Sequence, residues 1–175
     1  MKHLLAAAIS LFCAHRAIAA SPDDVAKADY LYKFVPFIVW PESAFSAADS
    51  PIAICIIGKD PFGPDMDREA EKERIGGRPV VVRHIPLALA NSGCHVAYVG
   101  GSTEQSVSQA LEVLRAQPVL TVSDAATNAT GRGIINFVTE NGRVRFEIDE
   151  RAAEQSHLSV SSKLLELALQ TPKPK

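Results

Sequence analysis

The sequence predicts an α/β layered single domain with a mixed, partly parallel sheet, flanking helices and a late β-hairpin. Three observations carry that reading. Ile52-Ala53-Ile54-Cys55-Ile56-Ile57 is apolar without interruption and stops at Gly58, the pattern of a strand buried on both faces of a parallel sheet. Short β-rich runs then alternate with helical stretches, as in domains whose helices cover a sheet. Near the end, Glu140-Asn141-Gly142-Arg143 separates two further strand runs, and Asn-Gly between such runs is the strongest local signal for a hairpin.

The elements follow in chain order. Ser21-Pro22-Asp23-Asp24 opens a helix: Ser21 caps it, Pro22 suits its first turn, and the two acids favour the positive end of the helix dipole. Val25, Ala28, Tyr32 and Val35 recur at helical spacing, and Leu31 widens the stripe. Pro36 and Pro41 break the chain around Phe37, Ile38, Val39 and Trp40. This aromatic-rich segment is either a lid on the core or a surface for a partner. After the Ile52–Ile57 strand, Lys59 to Gly63 forms a loop, and a polar helical stretch runs from Asp65 to Arg74. Strands are expected over Arg78–Ile85, His95–Val99 and Val119–Val122. Between the last two, Ser102 and Gln105 read as the capping box of a helix through Arg115. Ile134–Thr139 and Val144–Ile148 are the hairpin arms, and short helices near Glu150–Gln155 and Val160–Leu169 finish the fold.

The N-terminus reads as an export signal over residues 1–19. Lys2 and His3 precede an apolar run from Leu4 to Cys13, and Ala17-Ile18-Ala19 places small residues where a signal peptidase reads. The run is about ten residues, short of the roughly 20 that span a bilayer. Phe12 precedes Cys13 where a lipoprotein anchor requires a small residue. Cleavage after Ala19 is therefore expected to release a periplasmic chain, with the domain over residues 20–170 and a disordered tail at 171–175. Removal of the signal leaves 16 Lys+Arg against 20 Asp+Glu, net −4. That balance carries no electrostatic footprint for nucleic acid and no polybasic membrane patch. Cys13 leaves with the signal, so Cys55 and Cys94 remain in an oxidising compartment. They form either a bridge across about 40 residues, worth roughly 3–4 kcal/mol, or two separate buried thiols. No C-x-x-C or H-x-x-x-H spacing points to a metal, and no cofactor is expected.

Chemistry has three candidate places. The carboxyl ends of the expected strands carry Gly58, Asp60, Gly63, Gly100, Ser102, Ser123 and Asp124. Ligands of open α/β sheets bind in that region, although ordinary turns need the same residues. Arg143 and Arg145 lie two apart on one face of the last hairpin strand, and His157, Ser161, Ser162 and Lys163 follow. Together they make a candidate site for a carboxylate or phosphate, as in a sensor of an anionic metabolite. A hydrated helix start is the plainer reading. Phe34, Phe37, Trp40 and Phe45 crowd the Pro-broken segment as candidate anchors for a partner, with core packing as their rival role. The motifs G-x-x-x-x-G-K-[ST], G-x-S-x-G and Ser-x-x-Lys are absent from the sequence. Asp60, Asp124, His84 and His95 offer acids and bases, but no spacing selects them, so an enzyme is not expected.

Several motifs in order resemble one known family. They begin with Ala28-Asp29-Tyr30-Leu31-Tyr32-Lys33-Phe34 leading to Trp40-Pro41, then Gly58-Lys59-Asp60-Pro61-Phe62-Gly63 and Gly76-Gly77-Arg78-Pro79-Val80-Val81-Val82-Arg83. Cys94-His95-Val96-Ala97-Tyr98-Val99 and Leu120-Thr121-Val122-Ser123-Asp124 follow. The strongest stand last: Gly133 to Val138, Arg143 to Ile148, and Leu158-Ser159-Val160-Ser161-Ser162-Lys163-Leu164-Leu165. The chain is similar in these to the YfiR family of bacterial periplasmic proteins, over nearly the whole mature length. The resemblance implies a compact α/β fold that dimerises and a non-enzymatic role. It implies binding to the periplasmic part of an inner-membrane diguanylate cyclase, which is held inactive, and release of that cyclase by an outer-membrane lipoprotein. Cys55 and Cys94 match one family disulfide. The second pair of the best-known member has no counterpart, because no cysteine follows Cys94, so redox control through that pair is not expected.

Overall fold

The computed structural model describes residues 20–124 and 131–169. The expected signal peptide and tail lie outside the described residues. Helix α1 runs over Pro22–Phe34, and the Ser21 side chain accepts a hydrogen bond from the backbone of Asp24 as its cap. A 3-10 turn at Val35–Phe37 carries the chain into β1 (Ile38–Val39). There follow β2 (Ile52–Gly58), α2 (Pro64–Ala70), β3 (Arg74–Ile75) and β4 (Arg78–Ile85). Next come β5 (Val96–Gly101), α3 (Val107–Leu114), β6 (Leu120–Asp124), β7 (Ile135–Glu140) and β8 (Arg143–Ile148). Helix α4 (Glu150–Gln155), β9 (Ser159–Val160) and α5 (Ser162–Leu167) close the chain. No helix among the described residues is long and apolar enough to cross a membrane.

The main sheet has the order β3-β4-β2-β5-β6-β7-β8. Its five central strands are parallel, and β3 and β8 are antiparallel edges. Chain progress starts at β2 and goes outward both ways, the doubly wound arrangement. Helices cover both faces, which explains why β2 reads as continuous hydrophobicity. Ile52, Ile54 and Ile56 point into a large core with Leu31, Phe34, Met66, Phe137 and Phe146. Cys55 and Ile57 point into a smaller one with Ala110 and Leu114. In the β7–β8 turn, Asn141 and Gly142 both take positive φ, 51° and 71°, as the expected hairpin turn requires.

Several features differ from the sequence reading. The helical stretch expected over Asp65–Arg74 stops at Ala70 and Arg74 enters β3, and Val160 belongs to β9 rather than to the last helix. The helix after β5 starts four residues later than expected. Ser106 with Gln109 makes the capping box, while Ser102 accepts from the backbone of Glu104 and Gln105 within the preceding turn. Both Ser-x-x-Gln spacings carry the same local signal, and the path of the chain out of β5 selects the second. The segment expected to be irregular around Val39 contributes β1, which pairs antiparallel with β9. Finally, Leu169 returns to bridge Glu147 in parallel at the outer edge of β8.

Candidate interaction site

Gly58, Gly100 and Gly101 stand at the carboxyl ends of β2 and β5, the usual place for a ligand in such a sheet. Here the two loops fill it themselves. Lys59 donates from its backbone to the Gly101 carbonyl at 2.8 Å. A Cβ on Gly58 would lie 2.3 Å from that carbonyl oxygen, and one on Gly100 would lie 2.1 Å from the carbonyl oxygen of Lys59. The glycines permit backbone against backbone. Asp60 likewise accepts from the backbone of Phe62 and Gly63, so the turn reading holds for this end of the sheet. Further along, the buried Tyr98 hydroxyl donates to Asp124 at 2.7 Å, and Lys27 pairs with Asp124 at 3.0 Å. Burial, reinforced by Asp124, pushes the Tyr98 pKa well up. His84 is exposed and lies between Asp60 and Asp67.

Arg143, Arg145, His157, Ser161, Ser162 and Lys163 do not form the single cluster that their closeness in sequence predicts. Along β8 the residues Val144, Phe146 and Ile148 enter the large core, so Arg143 and Arg145 project from the opposite face. Helices α4 and α5 and strand β9 pack on the core side through Ala153, Leu158, Val160 and Leu164. The sheet therefore lies between the arginines and the later polar residues. Among the described residues no side-chain hydrogen bond or ion pair joins the six.

The aromatic segment divides in two. Phe34 is a correction to the anchor reading, because it is 1 % exposed. Its ring stacks on Tyr30 at 5.6 Å and meets Phe146 edge-on at 5.0 Å. It falls on the core face of α1, next to Leu31. Phe37, Trp40 and Phe45 are half-buried. Trp40 lies edge-on to Phe45 at 6.5 Å, and Phe45 stacks on His95 at 4.5 Å. The Arg78 guanidinium sits 4.1 Å above the Phe45 ring, an attractive cation–π geometry. It also donates to the carbonyls of Ala47 and Ser50. The indole N–H of Trp40 is buried and meets no acceptor among the described residues, a rare condition for a buried donor.

Arg78 was not among the site residues read from sequence, and His95 entered only as an acid–base group that no spacing selected. A histidine at a strand start and an arginine after Gly-Gly carry no local mark of stacking on an aromatic 30 or more positions away. His95 is the pin of this knot. Its Nδ1 accepts from the Ala53 backbone N–H at 3.0 Å, and its Nε2 donates to the Ala44 carbonyl at 3.0 Å. Both nitrogens are used, and only the neutral ring with its proton on Nε2 fits. Burial lowers its pKa, the Ala44 carbonyl opposes that shift, and the Arg78 cation adds to the lowering. The unfolded chain therefore takes up this proton before the folded one. Stability from His95 is complete above the ordinary histidine value of about 6.5 and declines as pH falls below it. Urea midpoints between about pH 5 and 7 will show this slope in the wild type, and His95→Gln will flatten it.

The geometry defines an α/β domain whose strand ends are closed by their own loops and whose surface carries a half-buried aromatic knot. The model of the YfiR/HmsC-like family matches residues 24–169, and the chain belongs to that family. No curated protein matches it. The expected bridge is also present, joining Cys55 to Cys94 across 39 positions.

Proposed function

We propose that this protein is an exported, non-catalytic regulator of cyclic di-GMP signalling. In this reading it binds the periplasmic part of an inner-membrane diguanylate cyclase and holds it inactive. It works as a homodimer, and an outer-membrane lipoprotein relieves the repression by sequestering it. The observation that carries the reading is family membership over residues 24–169. The half-buried Trp40 and Phe45, with an indole N–H unused inside the chain, fit a surface that a partner completes. Repression requires tighter binding to one cyclase conformation than to the other, since equal affinity shifts nothing. A stable interface takes about 800 Å² from each partner, centred on aromatic or aliphatic anchors.

Cellular cyclic di-GMP in a strain lacking the gene tests this. The level is expected to rise in the deletion and to return with the wild-type gene. Complementation with Trp40→Ala is expected to leave it raised while the variant accumulates as folded protein. An unchanged level in the deletion removes the cyclase as the partner.

A further inference from the structure

Helix α1 carries more apolar surface than the core uses. Leu31 and Phe34 enter the core, whereas Val25 is 58 % exposed. Val25, Ala28 and Tyr32 form a seam facing α2 across a groove of about 280 Å³, with Phe62 and Met66 on the opposite bank. Tyr32 ties the banks together, donating from its hydroxyl to the Met66 carbonyl at 2.8 Å. The charged residues lining this groove are Asp29, Asp65, Glu69 and Glu73, with no cation among them. Asp65, Glu69 and Glu73 recur every four residues along one bank. Lys33, Arg68 and Lys72 pair with Asp29, Asp65 and Glu69 from outside the lining. Such exposed pairs hold weakly and exchange readily. Glu73 has no ion-pair partner among the described residues. Burial raises the Tyr32 pKa, and the nearby carboxylates of Asp67, Glu73, Glu69 and Asp29 add to that shift.

We propose that this groove docks a basic amphipathic segment of a partner protein. Apolar side chains of that segment enter between Val25 and Met66, and its Lys or Arg residues meet Asp65, Glu69 and Glu73. Apolar anchors at helical spacing in a groove are an established mode of peptide recognition, and the carboxylate row selects the sign of the flanking charge. The volume suits a few side chains, so the segment lies along the groove with one face in it. The assignment rests on the reading that the chain acts by binding another protein, and it holds whichever protein that is.

Two fluorescent synthetic peptides of about 15 residues, roughly four helical turns, test it on the mature chain by anisotropy. Both carry leucines at helical spacing; one has lysines and the other glutamates between them. The lysine peptide is expected to bind at least about tenfold more tightly, a difference of about 1.4 kcal/mol. Glu69→Lys with Glu73→Lys should remove that preference, and Val25→Asp should weaken binding about tenfold. These groove positions lie at the surface, and circular dichroism verifies that the variants fold. Equal binding of the two peptides overturns the proposal, as does an unmoved preference in the charge-reversed variant. Sedimentation of the chain alone adds a further arm: a dimer that Val25→Asp dissociates makes a second copy the occupant and overturns the proposal. Peptide selectivity with unchanged cyclic di-GMP in the deletion strain upholds the groove and removes only the cyclase. A raised level without selectivity does the reverse.

Discussion

Replacing Phe34 with Ala will cost about 3–5 kcal/mol of folding stability, the range for emptying an aromatic site in a packed core. Phe34 is closed off from solvent, and Tyr30, Phe137 and Phe146 surround its ring. Those neighbours come from α1, β7 and β8, so the cavity opens where the first helix seats on the last hairpin. A loss of that size is a large part of the 5–15 kcal/mol that a domain possesses. Trp40→Ala removes a ring that is only half-buried, and about 1–2 kcal/mol is expected. Urea unfolding of the two variants side by side separates core from surface. A Phe34→Ala midpoint within error of the wild type would return Phe34 to the surface. A Trp40→Ala loss matching that of Phe34→Ala would make Trp40 a core residue too.

The second large effect is expected at the disulfide. Cys55 lies in the middle of β2 and Cys94 just before β5, and both are buried. The bridge closes a loop that contains α2, β3 and β4. In the chain-entropy account a loop of this length contributes about 3–4 kcal/mol by restricting the unfolded chain. Cys55→Ala with Cys94→Ala is therefore expected to lose that amount, yet to keep the fold. The two strands still pair directly, from Ile54 opposite Val96 to Gly58 opposite Gly101. Alanine is preferred to serine here, because a buried hydroxyl without a partner adds its own cost. Equilibrium denaturation of the double variant, with near-ultraviolet circular dichroism to verify native packing, measures it. An unchanged midpoint would mean that the unfolded chain is already compact around these strands.

Much of the fold was legible because its signals are short-ranged. The apolar run at β2, the Ser21-Pro22 start, the Asn141-Gly142 turn and the two final helices each depend on residues within a few positions. The hairpin and the Arg78–Ile85 strand stand where the sequence places them. The candidate site was only partly legible. Phe34, Phe37, Trp40 and Phe45 are all aromatic and all stand within four residues of Pro36 or Pro41. Nothing local tells that Phe34 turns inward while Trp40 and Phe45 close on His95 and Arg78. Arg143 and His157 are near in sequence but lie on opposite sides of the sheet. Distance along the chain carries no information about which layer a residue joins.

Hydrophobic period, caps and turn residues act locally, and they were enough to specify the class of fold, the order of the six longer strands and the hairpin, as the run of motifs was for the family. The two-residue strands β1, β3 and β9 left no such mark. Tertiary structure alone decided which apolar stripe of α1 is buried. Leu31 and Phe34 meet the ring surface of β7 and β8, formed more than a hundred residues later, while Ala28 and Tyr32 pack only partly on the core beside α2 and Val25 is left exposed. It also decided that the glycines between β2 and β5 serve backbone packing, because only the folded pair of loops brings Lys59 against Gly100 and Gly101. The physical reason is the same in both cases. Burial is a property of two surfaces, and a local pattern specifies only one of them.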